Sequence, residues 1–302
     1  MYDIIGDIHG HAEPLKRLLL KMGYQEADRV WQHSSRKVVF VGDYIDRGPA
    51  IRETLQIVKR MTESGHAIAL MGNHEYNALA YHHRLVDGTY LRKHSTKHMK
   101  QHAQTLAQFF FHQEEWQEYL QWFYTLPLFL ELDGIRAVHA CWDDAHIDWL
   151  KQRNMQRISP QFLIKAHRRE SLEYTIIDET LKGKEVDIPE MYAWADKDGN
   201  IRKQNRIKWW SNPDGNLTYG QALFNCPEPL LEKNIVDHKF YTYPDTEPPI
   251  FLGHYWLEAE MPELQRSNVI CLDYSIAKDG ILVAYRWNKG EEISPINFVS
   301  TK

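Results

Sequence analysis

Three apolar segments in the first eighty residues are each followed by a loop of glycines with carboxylate, amide or imidazole side chains. Helical periodicity separates the segments, and this alternation is typical of a parallel sheet with helices on its faces. The predicted strands span residues 2–5, 38–41 and 67–71, and the predicted helices span residues 12–22, 51–61 and 76–81. The loops should therefore meet at the carboxyl ends of the strands, where open α/β sheets bind ligands. They are Gly6-Asp7-Ile8-His9-Gly10, Gly42-Asp43-Tyr44-Ile45-Asp46-Arg47-Gly48-Pro49 and Gly72-Asn73-His74-Glu75.

Two later apolar segments, 135–139 and 249–254, each end in a histidine. Any one of the five strings alone would more often be an ordinary turn or a packed histidine, but their order, each after an apolar strand, favours one shared site. Carboxylates, amide oxygens and imidazoles bind divalent ions such as Mn, Fe, Zn, Co or Ni, and a carboxylate can bridge two of them. We therefore predict a two-metal site with Asp43 as the bridge. The predicted ligands are Asp7, His9, Asp43, Asn73, His139 and His254.

Composition narrows the classes of function. A chain of 302 residues with 43% hydrophobic content can bury a large core, and its net charge of -5 gives no extended nucleic-acid surface, although a local basic cleft is left open. Three widely separated cysteines predict reduced thiols. No apolar run reaches the length of a membrane helix, and the first residues lack signal-peptide features, so we expect no membrane contact and a cytoplasmic protein.

The motifs divide the chain into core and insertions. We predict a single domain over residues 1–302, whose core consists of segments 1–80, 127–141 and 247–287. The helical and irregular segments 81–126 and 142–246 are predicted to form an inserted cap. Within the core, residues 268–274 and 280–287 should form an antiparallel hairpin, and the residues from 288 onward a short tail.

Two clusters in the predicted cap have competing interpretations. His94, His98 and His102 are spaced four residues apart, but no carboxylate or cysteine joins them. We therefore interpret them as a solvent-facing or capping face of a helix and leave them out of the site. Trp209 and Trp210 could stack on a nucleotide base, but packing in the core or the cap is the favoured interpretation.

The ordered strings resemble those of the calcineurin-like metallophosphoesterases, especially the phosphoprotein phosphatase branch and its bacterial relatives, which include diadenosine tetraphosphatases. The resemblance covers residues 1–79 closely, then His139, Gly253-His254 and the terminal strands. It implies an α/β fold, a four-layer α/β/β/α sandwich with a cap insertion, and two divalent ions at its rim, most often Mn.

The resemblance also implies roles for single residues. Asp7, His9 and Asp43 match the first metal's ligands, and Asp43, Asn73, His139 and His254 match the second's. His74 matches a general acid with Asp46 as its partner. Arg47 matches a phosphate clamp, Asn73 a substrate contact, and Arg206 is the candidate for a second arginine.

Two departures bear on the branch of the family. A single histidine stands in Gly253-His254-Tyr255-Trp256, where nucleases usually have Gly-His-x-His, and together with Asp46-Arg47-Gly48 this favours the phosphatase branch. Against this branch, Val138-His139-Ala140-Cys141 stands where the family usually has Val-His-Ala-Gly or His-Gly-Gly, and this difference predicts an altered loop.

Three functions follow as hypotheses. The favoured one is a phosphatase acting on phosphoproteins or small phosphomonoesters, by attack of a metal-bridging hydroxide with His74 as the acid. The alternative is a hydrolase of dinucleoside polyphosphates, and the least favoured is a binding protein without turnover. An open groove would suit a peptide, whereas an enclosed basic pocket would suit a nucleotide polyphosphate. The partner is in either enzyme a phosphorylated substrate, and the sequence leaves the oligomeric state open.

Overall fold

The computed structural model describes residues 1–195, 201–211, 217–224, 226–235 and 243–302. Its strands are β1 (Tyr2–Ile5), β2 (Gln25–Ala27), β3 (Val30–Gln32), β4 (Lys37–Phe40), β5 (Ala67–Ala69), β6 (Phe129–Leu132), β7 (Ile135–Val138), β8 (Glu185–Asp187), β9 (Trp194–Ala195), β10 (Ile201–Arg202), β11 (Gln204–Arg206), β12 (Ile250–Leu252), β13 (Val269–Cys271), β14 (Asp273–Tyr274), β15 (Ile281–Trp287) and β16 (Phe298–Ser300). Its α-helices are α1 (Ala12–Lys21), α2 (Ile51–Glu63), α3 (Asn73–His82), α4 (Thr96–Gln108), α5 (Gln113–Phe123), α6 (Asp144–Gln152), α7 (Pro160–Lys165), α8 (Leu172–Lys182) and α9 (Tyr219–Ala222).

Two sheets carry the strands that end at the predicted site. In the first sheet β1, β4 and β5 run parallel in that order, and β15 lies antiparallel to β1 on the other side. In the second sheet β7, β12 and β13 run parallel, with β6 as an antiparallel edge strand. The parallel β-α-β arrangement predicted for the first eighty residues is therefore confirmed.

The two sheets face each other across a buried apolar layer. Alternate side chains of their strands, such as Ile4, Val39 and Phe251, form one fully buried cluster. The intervening residues, such as Ile5 and Val38, point to the opposite face and pack with residues of α1 and α2. Residues of α6 and α8 fall in the same buried cluster as the outward-facing residues of the second sheet. This arrangement is the predicted α/β sandwich with helices outside two sheets.

The C-terminal part of the chain differs from the prediction. Only β14 forms the expected antiparallel pair with β15, because the chain passes at Leu272 from the second sheet, which contains β13, to the first. The predicted tail is wrong over its last residues, since β16 adds a strand to the edge of β15.

Two smaller predictions can be compared with the structure. Trp209 and Trp210 are buried, and the Trp209 indole N–H donates to the Ala140 carbonyl at 3.0 Å, which confirms packing rather than base stacking. Cys141, Cys226 and Cys271 are free thiols.

Among the described residues, no helix combines the length and the apolar character needed to cross a membrane.

Candidate metal centre

The loops at the strand ends have unusual backbone conformations. Several predicted site residues have positive φ, which side chains other than glycine adopt rarely and at a cost of about 1–3 kcal/mol each. They are His9 (45°), Asp43 (54°), Asp46 (67°), Arg47 (68°) and His254 (74°). Such strain persists only where surrounding contacts fix the backbone, and it is concentrated here around one group of ligating side chains.

The second and third loops lie in close contact. Gly42 has φ +113°, and a Cβ at this position would lie 2.6 Å from the Gly72 Cα atom. Both glycines are therefore needed for Asp43 and Asn73 to approach each other.

The residues predicted to bind the first ion are Asp7, His9 and Asp43. The His9 Nδ1 donates to the Ile45 carbonyl at 3.0 Å, which leaves Nε2 free to face the Asp43 Oδ2 at 3.6 Å. Burial, together with the nearby His74, lowers the pKa of His9 to about 3, so its imidazole is neutral. The Asp7 Oδ1 and the His9 Nε2 are buried and have no hydrogen-bond partner among the described residues.

The residues predicted to bind the second ion are Asp43, Asn73, His139 and His254. The Asn73 Oδ1 lies 3.0 Å from the His139 Nε2 and 2.7 Å from the His254 Nδ1. The His139 Nε2 is 3.4 Å from the Asp43 Oδ1, and its Nδ1 donates to the Val41 carbonyl at 2.8 Å. Ligating atoms of Asp43, His139 and His254 all lie within 4.8 Å of one another.

The charge of this site fits cations. Burial, and after it Asp273 and Asp43, raises the pKa of Asp7 well above its usual range, because its negative charge is not compensated by the protein groups around it. Oxygen and imidazole donors match divalent ions of the Mn, Fe, Zn, Co or Ni kind, and the unpartnered Asp7 Oδ1 and His9 Nε2 are the atoms such an ion would satisfy. All six predicted ligands thus lie close together, and Asp43 lies near members of both predicted sets.

His74 and Asp46 form a buried pair beside the predicted ligands. The His74 Nδ1 lies 2.6 Å from the Asp46 Oδ2, and its Nε2 lies 3.4 Å from the Arg47 Nη2. Burial by itself would lower the pKa of His74, but the carboxylates of Asp43 and Asp46 raise it above its usual value. Burial opposes ionisation of Asp46, yet hydrogen bonds from His102 and His74 hold its pKa below the usual range.

Glu75 was not among the predicted site residues, although it ends the third loop string. Its buried carboxylate accepts backbone N–H groups from Asp43 at 2.9 Å, Tyr44 at 2.8 Å and Gly72 at 3.1 Å. It therefore joins the second and third loops. The signal available in the sequence was a carboxylate that directly follows the predicted site residues Asn73 and His74.

His102 corrects the prediction for the three spaced histidines. Helix α4 begins at Thr96, so His94 precedes it and instead stacks between Tyr81 and Tyr90, at 3.8 and 4.1 Å. His98 is half-buried, but His102 is only 5% exposed, so a solvent-facing role is wrong for it. The His102 Nδ1 donates to the Asp46 Oδ1 at 2.8 Å, which places it beside the site.

A cavity of about 340 Å³ opens onto His74, Asn73 and His254. Asp46 is the one carboxylate among its described lining residues, and it is buried. Five lining residues are cationic, so the local basic cleft that the composition left open is present. They are Arg47, Arg92, Lys97, Lys182 and Arg206.

Two of these arginines are the ones predicted from the sequence. The Arg47 guanidinium lies 3.8 Å from the centre of the Trp256 ring, a cation–π contact that restricts its position. Arg206 lies on β11 with a buried Nε that has no hydrogen-bond partner among the described residues, and its Nη2 is 4.0 Å from the Glu185 Oε1. The structure thus places both arginines at the cavity.

Comparison with known proteins gives the family. The family model for calcineurin-like phosphoesterases matches residues 2–254. The asymmetrical bis(5'-nucleosyl)-tetraphosphatase PrpE of Oceanobacillus iheyensis is 45% identical over 73 residues, which is 24% of this chain and 29% of that protein. The symmetrical bis(5'-nucleosyl)-tetraphosphatase of Pseudomonas fluorescens is 39% identical over 77 residues, covering 25% of this chain and 23% of that protein. The chain thus matches less than a third of the length of either relative.

A solved structure supports the same fold. A serine/threonine phosphatase from Saccharomyces cerevisiae, with similarity to human phosphatase PP5, superposes with a TM-score of 0.50 at 14% identity. The superposition covers 99% of this chain and 78% of the yeast chain, and at this identity the likeness concerns the fold alone. Since the family model spans most of the sequence, the chain belongs to the calcineurin-like phosphoesterase family.

Proposed function

We propose that the chain is a metal-dependent hydrolase of phosphate ester or anhydride bonds. Asp7, His9 and Asp43 would hold one divalent ion, and Asp43, Asn73, His139 and His254 a second, with Mn²⁺ as the first ion to test. The observation that carries this proposal is the convergence of six buried ligating side chains at one rim of the sandwich, where the Asp7 Oδ1 and the His9 Nε2 have no partner among the described residues. When bound, such ions would lower the pKa of a water and offset the charge of phosphoryl oxygens.

The residues around the ligands suit the remaining steps of hydrolysis. His74 is held by Asp46 through Nδ1, so its Nε2 can carry a proton for the leaving oxygen. Arg47 presents a planar fork that can bind two phosphoryl oxygens, and Trp256 restrains it. Asn73, on the same cavity wall, would contact the substrate as well as a metal.

The cavity favours a substrate with several negative charges. Its lining carries five cationic side chains, which is more than one phosphomonoester needs. We therefore place the dinucleoside polyphosphates ahead of the phosphoproteins that the sequence motifs favoured. The relatives from Oceanobacillus iheyensis and Pseudomonas fluorescens are both named bis(5'-nucleosyl)-tetraphosphatases, which supports this order of candidates.

A phosphomonoester remains the second candidate because of His74. An ester leaves as an alkoxide or phenoxide, which needs a proton more than the phosphate leaving group of an anhydride does. The buried His74–Asp46 hydrogen bond provides a donor for this purpose.

The decisive experiment compares substrates on metal-stripped protein with and without added Mn²⁺. Diadenosine tetraphosphate, a chromogenic phosphomonoester, and phosphoserine and phosphotyrosine peptides are tested in parallel. We expect Mn²⁺-dependent hydrolysis with the highest kcat/KM for the dinucleotide. Preference for the peptides would select the second candidate, and no turnover of any substrate with metal demonstrably bound would exclude the proposed activity.

A variant of Arg206 tests the basis for the preference. Because a charge-assisted hydrogen bond contributes about 1.5–3 kcal/mol, Arg206→Gln should lower kcat/KM for the dinucleotide roughly tenfold or more and affect the monoester less. The matched control is Arg17→Gln, which removes an exposed arginine on α1 outside the cavity lining. Equal losses on both substrates would contradict a role of Arg206 in selecting polyphosphate.

A further inference from the structure

One face of α4 contacts the loop that carries Asp46 and Arg47. His102, Thr105 and Gln108 are spaced three residues apart, so they share one side of the helix. The Gln108 side chain accepts the Ile51 backbone N–H at 2.6 Å and donates to the Gly48 carbonyl at 3.1 Å. Helix α4 therefore braces both ends of the 46–51 segment, although it lies outside the strings that carry the family resemblance.

The contacts of α4 fix the side chain of Asp46. Its Oδ1 accepts hydrogen bonds from the His102 Nδ1 at 2.8 Å and from the Thr105 hydroxyl at 2.6 Å. The same hydroxyl oxygen accepts the backbone N–H of Asp46 at 3.1 Å, which closes a ring around this residue. Asp46 also has a left-handed backbone, a conformation that needs such restraint.

With Oδ1 occupied, the other carboxylate oxygen is directed at His74. The Asp46 Oδ2 accepts from the His74 Nδ1 at 2.6 Å, and this bond fixes the tautomer and the orientation of the ring. When the ring is doubly protonated, the proton that it can give to a substrate is the one on Nε2. Rotation of the Asp46 carboxylate would break this bond.

His102 is itself held from behind by two other helices. The His82 Nε2, on α3, lies 3.3 Å from the His102 Nε2. The indole N–H of Trp116, on α5, donates to the same His82 nitrogen at 3.1 Å. His102 is thus a fixed donor within a packed layer rather than a mobile surface side chain.

We propose that His102 and Thr105 are positioning residues for catalysis, which hold Asp46 in the one orientation that aims His74 at the leaving group. This inference rests on the proposed function, in which His74 supplies the proton. It makes α4, an element of the predicted cap, a part of the catalytic apparatus.

Kinetics of paired variants test the proposal. His102→Leu removes the donor, whereas His102→Asn places an amide N–H near the position of Nδ1. Thr105→Val keeps the shape without the hydroxyl, and Thr105→Ser keeps the hydroxyl. Since general acid catalysis contributes at least about a hundredfold, partial misalignment in His102→Leu and Thr105→Val should lower kcat about tenfold with KM unchanged. His102→Asn and Thr105→Ser should recover most of it.

Gln104→Ala, an exposed substitution on the same helix, is the control and should match the wild type. Circular dichroism identifies any variant that fails to fold, and the Thr105 pair then carries the test. If the conservative variants are as impaired as His102→Leu and Thr105→Val, or if KM rather than kcat changes, the positioning role is wrong.

A spectroscopic readout separates this inference from the proposed activity. In metal-free protein labelled with ¹⁵N-histidine, the His74 Nδ1–H proton should give a downfield, slowly exchanging signal, assigned by its loss in His74→Gln. We expect the signal to persist in His102→Asn and to shift or broaden in His102→Leu. An unchanged signal in His102→Leu would overturn the positioning role. Absent turnover in the wild type would instead overturn the proposed function and leave the spectroscopic test in force.

Discussion

At the scale of single residues, the proposed acid differs in role from the ligands around it. His74 should be separable from metal binding, because Asp46 occupies its Nδ1 and its Nε2 is 3.9 Å from the nearer oxygen of Asp43. His74→Gln should therefore lower kcat by about 10²–10⁴-fold while the protein keeps its bound metal. Turnover and metal content measured on the same preparation check this. Loss of metal with unchanged turnover per remaining metal would show that His74 is a ligand and not the acid.

Glu75 should matter for folding rather than for chemistry. Its carboxylate accepts backbone N–H groups from both neighbouring loops, and an amide would turn one acceptor into a donor facing them. We expect Glu75→Gln to lower the free energy of unfolding by about 3 kcal/mol, measured by urea denaturation. Glu63→Gln, which removes an exposed ion pair with Lys59, should cost less than about 1 kcal/mol. Equal effects of the two substitutions would contradict the bridging role of Glu75.

The sequence predicts which residues converge at the strand ends better than it predicts the residues that support them. Asp7, Asp43 and His254 follow apolar strands, and the ends of neighbouring strands converge whatever the rest of the chain does. His102 offered no comparable signal, because its partner Asp46 is 56 positions away and spacing alone does not say which histidine faces the core. The missed signal was the N-cap residue of helix α4. The Ser95 hydroxyl accepts the backbone N–H of His98 at 3.3 Å, so the helix begins after His94.

At the scale of elements, the junctions between strands and loops control the site. Gly253 follows β12, and a Cβ there would lie 1.9 Å from the Asp7 Oδ1. Gly253→Ala should displace this carboxylate and weaken Mn²⁺ binding by about 10–100-fold, a typical effect of disturbing a ligand's support, measured by calorimetric titration.

The control for this prediction is Gly290→Ala. Gly290 has φ +86°, and a Cβ added there would meet no atom of the described residues within 4 Å, so alanine should cost stability without touching the metal site. Wild-type metal affinity in Gly253→Ala would mean that Asp7 does not bind the ion.

Strand membership in the C-terminal region shows where sequence patterns stop being informative. Residues 269–274 form one apolar run, and a period of two does not reveal that its first half pairs with β12 and its second half with β15. β16 was missed for a similar reason, since it is only half-buried at a sheet edge. The parallel strands were predictable because each is followed by its own helix and loop.

At the scale of the whole molecule, both sheets contribute to one rim. Asp7 and Asp43 follow strands of the first sheet, and His139 and His254 follow strands of the second. The convergence of these residues at one rim was predictable from the order of the motifs along the sequence. The predicted boundaries between core and cap stay a prediction, as do the cytoplasmic location and the single domain, while residues of both parts, such as Val38 and Trp209, belong to one buried cluster.

Binding of the proposed ions should stabilise the folded state, because the site brings several carboxylates close together. Asp7, Asp43, Glu75 and Asp273 are buried close enough to influence one another's pKa values, so like charges oppose the metal-free folded state. Mn²⁺ that binds only folded protein should stabilise it by about 2.7 kcal/mol at a concentration one hundred times its Kd. Thermal unfolding of metal-stripped protein should therefore shift upward as Mn²⁺ is added. In Asp43→Asn, which keeps the oxygen that accepts the backbone N–H of His74 but loses the negative charge of the proposed bridge, the shift should largely disappear. If Asp43→Asn responds to Mn²⁺ as strongly as the wild type does, the ions bind elsewhere and the chemistry proposed for this site is wrong.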